Sequence, residues 1–192
     1  YLKKTNKCFL FDDNLKNIEK KYKKNIINFN QINSQKIDYI IISPGIDVSK
    51  CKLKNYLSLN RSKILTDLDI FSLCYPKNKK ITITGTNGKS TTCTLLYKIL
   101  KNHNLDVRLT GNIGNPILAE KKIFRKTIFI IEASSYQLDY SKYFSSNISV
   151  ILNISPDHLE RHYNFKNYIF SKFKILLNQK NIDYAIIEKK DK

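Results

Sequence analysis

The stretch that most constrains this chain runs from Ile81 to Thr92. The β-branched run Ile81-Thr82-Ile83-Thr84 meets a turn carrying Gly85 and Gly88, and Lys89-Ser90-Thr91-Thr92 follows, where helical spacing begins. A strand, a glycine-bearing turn and a helix start are what a phosphate cradle needs. Glycines let the backbone approach an anion, successive N–H groups converge on it, and the helix adds the positive end of its dipole. In such a loop a lysine reaches the terminal phosphates and the following hydroxyl can ligate Mg²⁺. The first glycine of the usual P-loop spacing would fall at Ile83, so this loop is shorter than the common pattern. A plain tight turn is the bland alternative; the preceding strand and the Lys-Ser-Thr that follows favour a nucleotide phosphate site.

The remaining chain reads as strands alternating with helices, which predicts parallel sheets with crossover helices. Strands are expected at 7–11, 26–29, 38–42 and 63–65. A polar helix should run through Lys24, a short helix should hold Leu53, Tyr56 and Leu57, and Asp67 should cap a helix ending at Cys74. The proline-led polar run Tyr75-Pro76-Lys77-Asn78-Lys79-Lys80 reads as a linker, dividing residues 1–76 from 77–192. Beyond it, a helix is expected from Ser90 to Lys101, strands at 107–109, 128–131, 148–154 and 184–187, and a helix at 165–177. The fold class is α/β, with a truncated Rossmann-like first unit and a P-loop-type ATPase unit.

Each strand of the second unit runs into a polar cluster at its carboxyl end. These clusters are the cradle, Gly111-Asn112-Ile113-Gly114, Glu132 to Leu138, and Asp157-His158. In open parallel sheets ligands bind outside those ends, so the loops should share one crevice. Glu132 could hold a metal there or serve as a first-turn carboxylate, and His158 could ligate a cation or sit as an ordinary loop histidine. Asn112 and Gln137 could face a polar substrate or satisfy turn backbone. Pattern alone reads Lys172 as a surface lysine beside an apolar helix face.

Charge enters as a competing reading. The formal net charge of +18 invites a nucleic-acid role, yet the lysines are spread along all 192 residues in short clusters, which fits a solvated basic face. No apolar run approaches membrane-spanning length. Four scattered cysteines without a C-x-x-C fit a reduced cytoplasm. The chain lacks Met and opens on Tyr1 in mid-pattern, so a piece of a longer polypeptide is expected.

Together these residues resemble the Mur ligase family, through Ser43-Pro44-Gly45-Ile46, Thr84 to Thr91, Gly111-Asn112-Ile113-Gly114, Glu132 to Leu138, Asp157-His158 and Tyr168 to Ile175. Glu-x-Ser-Ser-aromatic-Gln-Leu with Gly-Asn-Ile-Gly favours the D-glutamate-adding branch. Ala133 and Tyr136 stand where relatives often carry Leu and Phe. The resemblance implies a cytoplasmic, monomeric, ATP-dependent ligase of peptidoglycan synthesis, joining D-glutamate to UDP-N-acetylmuramoyl-L-alanine through an acyl phosphate. It implies ATP on Gly85, Thr86, Asn87, Gly88, Lys89, Ser90 and Thr91, and two Mg²⁺ held by Ser90, Glu132, His158 and Lys172 as a carbamate. Substrate would meet Asp12, Asn112, Gln137 and His158, with Lys89, His158 and Lys172 catalytic and no nucleic-acid or membrane partner. A third, amino-acid-binding domain would lie outside the 192 residues, which alone should turn over poorly. The diaminopimelate- or lysine-adding relatives, a P-loop module acting on nucleic acid, and a non-catalytic binding remnant remain the alternatives.

Overall fold

The computed structural model describes residues 6–12, 18–32 and 35–188, which fall into two compact units. One comprises Tyr1–Ile40 and Ile46–Ile64, the other Ile41–Gly45 and Leu65–Lys192.

In the first unit, parallel pairing among the described residues is the single bridge between Leu10 and Ile26, with Leu10 N–H donating to Asn25 O and Ile27 N–H to Leu10 O. The polar helix expected before Lys24 lies partly outside the described residues, and Lys20–Asn25 forms a 3-10 turn. The strand expected at 26–29 gives way at its end to α1 (Phe29–Ile32). Local side chains explain this. Asn28 N–H donates to Gln31 Oε1 and Gln31 N–H to Asn28 Oδ1, a reciprocal cap that competes with extended backbone. This unit also holds α2 (Lys54–Leu59); β1 (Ile40–Ile41) and β2 (Ile64–Leu65) form a two-stranded sheet of their own.

The second unit is built on a five-stranded parallel sheet. Its elements are α3 (Asp67–Cys74), β3 (Lys79–Thr84), α4 (Lys89–Asn102), β4 (Val107–Gly111), β5 (Ile128–Glu132), α5 (Ser135–Asp139), β6 (Ile148–Ile151), α6 (Leu159–His162), α7 (Phe165–Phe173) and β7 (Tyr184–Ile187). The strand order is β4-β5-β3-β6-β7, and the β3–β5, β3–β6, β4–β5 and β6–β7 pairs are all parallel. Both faces are covered: β5 is apolar up to Glu132, and β3 alternates Ile81 and Ile83 with Thr82 and Thr84, which are buried as well. Phe129, Ile131 and Ile151 pack on one face with Leu68 and Phe71 of α3 and Leu138 of α5. Ile83, Val107 and Ile130 pack on the other with Cys93 of α4. Period two therefore puts Glu132 on the face of Ile130, the face that α4 covers.

By its contacts α3 lies with the second compact unit, where Leu68 and Phe71 enter the core. The supposed linker is a locked turn. Buried Lys80 donates through Nζ to Tyr75 O and Asn78 O, and Asn78 Nδ2 donates to Phe124 O and Thr127 O. The cap of α3 is Thr66, not Asp67: Thr66 Oγ1 accepts from Asp69 N–H while Asp69 Oδ2 accepts from Thr66 N–H. β6 stops at Ile151, three residues short of the expected end, where the chain turns to meet the glycine loop.

Asp69 fastens α3 to the segment before β6. Its fully buried carboxylate also accepts, at Oδ1, from Ser141 Oγ and from the N–H groups of Lys142, Tyr143 and Phe144 at 2.7–3.0 Å. Removing it strands several buried donors, each costing about 1–3 kcal/mol. Asp69→Ala should lower the unfolding free energy by about 3–5 kcal/mol in urea titrations, since not all donors find water. A loss under about 1 kcal/mol would mean that the carboxylate does not hold this junction.

Candidate functional site

The glycine loop leaves β3 and enters α4 at Gly88, whose φ of 81° lies in the left-handed region that glycine tolerates without cost. The loop tip is stitched to the chain after β6. Thr86 N–H donates to Asn153 O, Asn87 N–H to Asn153 Oδ1, and Asn153 Nδ2 back to Asn87 O. Thr86 Oγ1 bridges Ser155 and the Tyr168 hydroxyl, the latter at 3.1 Å. Lys89, the first residue of α4, turns back so that Nζ donates to Gly85 O at 3.0 Å and Thr86 O at 2.8 Å. Thr91 lies exposed one residue beyond Ser90.

Glu132 closes β5 with its carboxylate 1% exposed, bracketed on both oxygens. Ser90 Oγ donates to Oε2 and Asn112 Nδ2 to Oε1, each at 2.8 Å. Asn112 also fixes the backbone there, through its N–H to Glu132 O at 2.9 Å. This close approach explains Gly111: a Cβ at its φ of 105° would lie 2.3 Å from Glu132 O. The sequence motif is thus a steric requirement of the β4–β5 crossing.

Lys172 is the main surprise against its sequence reading. It is buried on α7, 2% exposed, and Nζ donates to Gly85 O at 2.7 Å while lying 4.6 Å from the Tyr168 ring centroid. Burial, then the nearby Lys89 charge, lower its pKa from 10.5 to about 7, with Asp157 opposing. Lys172 and Lys89 therefore meet at one carbonyl oxygen, and among the described residues neither has a carboxylate in ion-pair range.

His158 precedes α6 in a left-handed conformation, φ 52° and ψ 33°, a positive φ it shares with Asn104, Lys122 and Tyr163 among the described non-glycine residues. Its ring is half-exposed, 5.0 Å from Tyr136, with Asp157 at 3.5 Å and Glu160 at 3.8 Å. Lys89, Asn112, Ser134, Ser135, Tyr136, His158, Tyr168 and Lys172 line one cavity of about 150 Å³.

Of the expected site residues, Lys89, Asn112, His158 and Lys172 line that cavity, and Ser90 and Glu132 join it through Asn112. Gln137 does not line it. Its Oε1 accepts from Ser134 N–H and Oγ, capping α5, and its Nε2 donates to Asp67. Asp12 is exposed and belongs to the other compact unit. Sequence reasoning passed over Asn153, absorbed into an expected strand, and Ser135, Tyr168 and His162, whose pairings join distant segments. Ser90 and Glu132 supply adjacent hard oxygens that fit Mg²⁺, an ion which keeps several waters or phosphate oxygens besides one or two protein ligands. No group of three or more His, Cys, Asp or Glu among the described residues makes a self-sufficient cage.

The low Lys172 pKa has a definite sign. Below about 7 the folded and unfolded chains both hold the proton; between about 7 and 10.5 only the unfolded chain does, so stability rises with pH across that window. Lys172→Met should flatten that rise when urea titrations in bicarbonate-free buffer at about pH 6.5 and about pH 9.5 are compared. An unchanged slope would show that the buried amine does not titrate in this window.

The sequence and the fold both have counterparts. The family model described as the Mur ligase middle domain matches residues 83–192. The UDP-N-acetylmuramoylalanine–D-glutamate ligase of Rickettsia bellii is 40% identical over 184 residues, covering 92% of this chain and 40% of that protein. The enzyme of the same name from Rickettsia felis is 42% identical over 156 residues, covering 80% and 33%. The chain therefore spans well under half the length of these relatives. Among solved structures, UDP-N-acetylmuramate:L-alanyl-gamma-D-glutamyl-meso-diaminopimelate ligase (MPL) from Neisseria meningitides shares the fold, with a TM-score of 0.54 at 15% identity over 83% of this chain and 54% of that one. With the parallel sheet, the glycine loop and the bracketed glutamate already in place, the match over residues 83–192 means that this chain belongs to the Mur ligase family.

Proposed function

We propose that the protein is an ATP-dependent ligase that joins D-glutamate to UDP-N-acetylmuramoyl-L-alanine in peptidoglycan synthesis. The observation that carries this reading is the convergence of two lysine side chains, from α4 and α7, on a cavity walled by amide, hydroxyl and imidazole groups. Such a cavity suits two anions brought together, a nucleotide phosphate and a carboxylate. The names of the relatives at about 40% identity supply the substrate pair.

In this reading Gly85, Thr86, Asn87, Gly88, Lys89, Ser90 and Thr91 hold ATP. The substrate carboxylate displaces ADP from the γ-phosphate, giving an acyl phosphate; the amine of D-glutamate then attacks the acyl carbon and phosphate leaves. Lys89 offsets the charge that gathers as the two anions meet. Mg²⁺, when bound, would neutralise phosphate charge. Ser90 and Glu132 would hold one ion, His158 and Lys172 a second. The buried, readily neutral Lys172 amine suits carbamylation, because only the unprotonated amine adds CO₂ and the product offers hard anionic oxygens. Asn112, His158 and Gln137 would face the muramoyl-alanine end, Gln137 after giving up its bond to Asp67; Asp12 would serve the uridine nucleotide. Residues 1–76 would bind the UDP-substrate and 77–192 ATP, with the protein cytoplasmic, monomeric and without nucleic-acid partners. Among the described residues no helix is long and apolar enough to cross a membrane.

The test is calorimetric binding of Mg-ATP and of UDP-N-acetylmuramoyl-L-alanine, together with product formation by the protein at its natural length. Lys89→Ala should weaken Mg-ATP by at least about tenfold, the scale of one lost charge-assisted bond, and D-glutamate should outcompete diaminopimelate and lysine as acceptor. ATP hydrolysis driven by RNA or DNA, with no muramoyl nucleotide bound, would overturn the reading. The carbamate is tested separately: ¹³C-bicarbonate should give a bound carbamate signal that Lys172→Ala abolishes.

A further inference from the structure

Behind the cavity wall lies a histidine that the scheme above does not use. His162, the last residue of α6, is 3% exposed and does not line the cavity, yet its Nε2 lies 3.0 Å from Oγ of Ser135, which does. Ser135 is itself 3% exposed, and the imidazole is the only hydrogen-bond partner of its hydroxyl among the described residues.

The ring has little freedom to turn away. It stacks on Tyr136 at 5.7 Å and 21°, and meets the edge of Tyr168 at 5.4 Å and 60°. Its backbone is held by His162 N–H to His158 O and by Asn167 Nδ2 to His162 O. A neutral imidazole donates from one nitrogen and accepts at the other, and a hydroxyl offers one proton and two lone pairs. The tautomer therefore decides what Ser135 shows the cavity. If Nε2 accepts, the serine proton is consumed behind the wall. If Nε2–H donates, the serine proton is free to point inward, beside Lys89, Lys172 and Asn112, where it serves an anion.

We propose that His162 is a positioning residue that, as the Nε2–H tautomer, turns the Ser135 hydroxyl into the cavity as a donor to the carboxylate of the acid substrate. The inference rests on the ligase reading for the identity of that acid. It adds a specificity element supplied by α5 and α6 and independent of the glycine loop.

The test is a double-mutant cycle on the protein at its natural length, reading KM for UDP-N-acetylmuramoyl-L-alanine and for Mg-ATP. Ser135→Ala and His162→Phe should each raise KM for the acid about tenfold, the cost of one hydrogen bond to a charged group, and leave KM for Mg-ATP unchanged. The double variant should be no worse than Ser135→Ala, because His162 acts through that hydroxyl. His162→Gln, which keeps a donor N–H, should restore part of the loss. Long-range ¹H–¹⁵N spectra of the wild-type ring, which need no variant to fold, should show the proton on Nε2. A proton on Nδ1, multiplying effects in the double variant, or an equal rise in KM for Mg-ATP would overturn the proposal while leaving the ligase reading intact. Failure of the wild-type protein to use the acid at all would overturn both.

Discussion

The site depends on one carboxylate held from two sides. Glu132 ends β5 on the face covered by α4, and its oxygens are taken separately by Ser90 from that helix and Asn112 from the loop after β4. Three consecutive pieces of the βαβ architecture thus meet at a group that is almost fully buried. A carboxylate so placed is tolerable only because both oxygens have donors. The bracket also fixes register. The β4–β5 pairing puts Gly111 opposite Glu132, and only a residue without a side chain allows the backbones to approach as closely as they do.

The opposite side of the crevice is organised by rings instead of charges. Tyr168 sends its hydroxyl to Thr86, lies under the Lys172 ammonium and takes the edge of His162, while Tyr136 stacks on His162 and faces His158. One helix, α7, therefore touches the glycine loop twice, through the Tyr168–Thr86 contact and through Lys172 to Gly85. Tyr168 and Lys172 are four residues apart and so share a helix face, which lets a single element set both contacts. The chain after β6 completes the frame, since Asn153 returns both side-chain bonds to the Asn87 backbone.

What was legible in the sequence was whatever is written locally. The strand–turn–helix at Ile81–Thr92 and the apolar strands of the second unit are encoded by nearest neighbours and period, and they stand in the structure within a few residues. The polar clusters after β4, β5 and β6 could be placed because carboxyl ends of parallel strands share an edge. What escaped depends on contacts between distant segments. Lys172 reads as a surface lysine because its acceptor is Gly85, 87 positions away. The run 75–80 reads as a linker because Asn78 finds Phe124 and Thr127 only after folding. Gln137 reads equally as a substrate partner or a turn residue, because nothing local announces that Asp67 will take its amide.

The two buried lysines show how stability and function oppose each other here. Burying an ammonium against a carbonyl and a ring is poorer than solvating it, and a second ammonium nearby adds repulsion. Lys80 illustrates the structural solution, with two carbonyl acceptors and no other lysine among the groups that shift it; its pKa falls only to about 8. Lys172 has one carbonyl, and the Lys89 charge acts on it, so its pKa falls further, to about 7. A fold selected for stability alone would have no use for the second arrangement, since an apolar side chain of similar length would pack there without the penalty. Carbamylation of Lys172, as proposed above, would reverse the balance, because it replaces one of two mutually repelling cations with an anion that Lys89 and a metal ion can meet. The low pKa carried by the free protein at this point is what would make that conversion easy, and Gly85, the shared acceptor, marks where the two lysines compete.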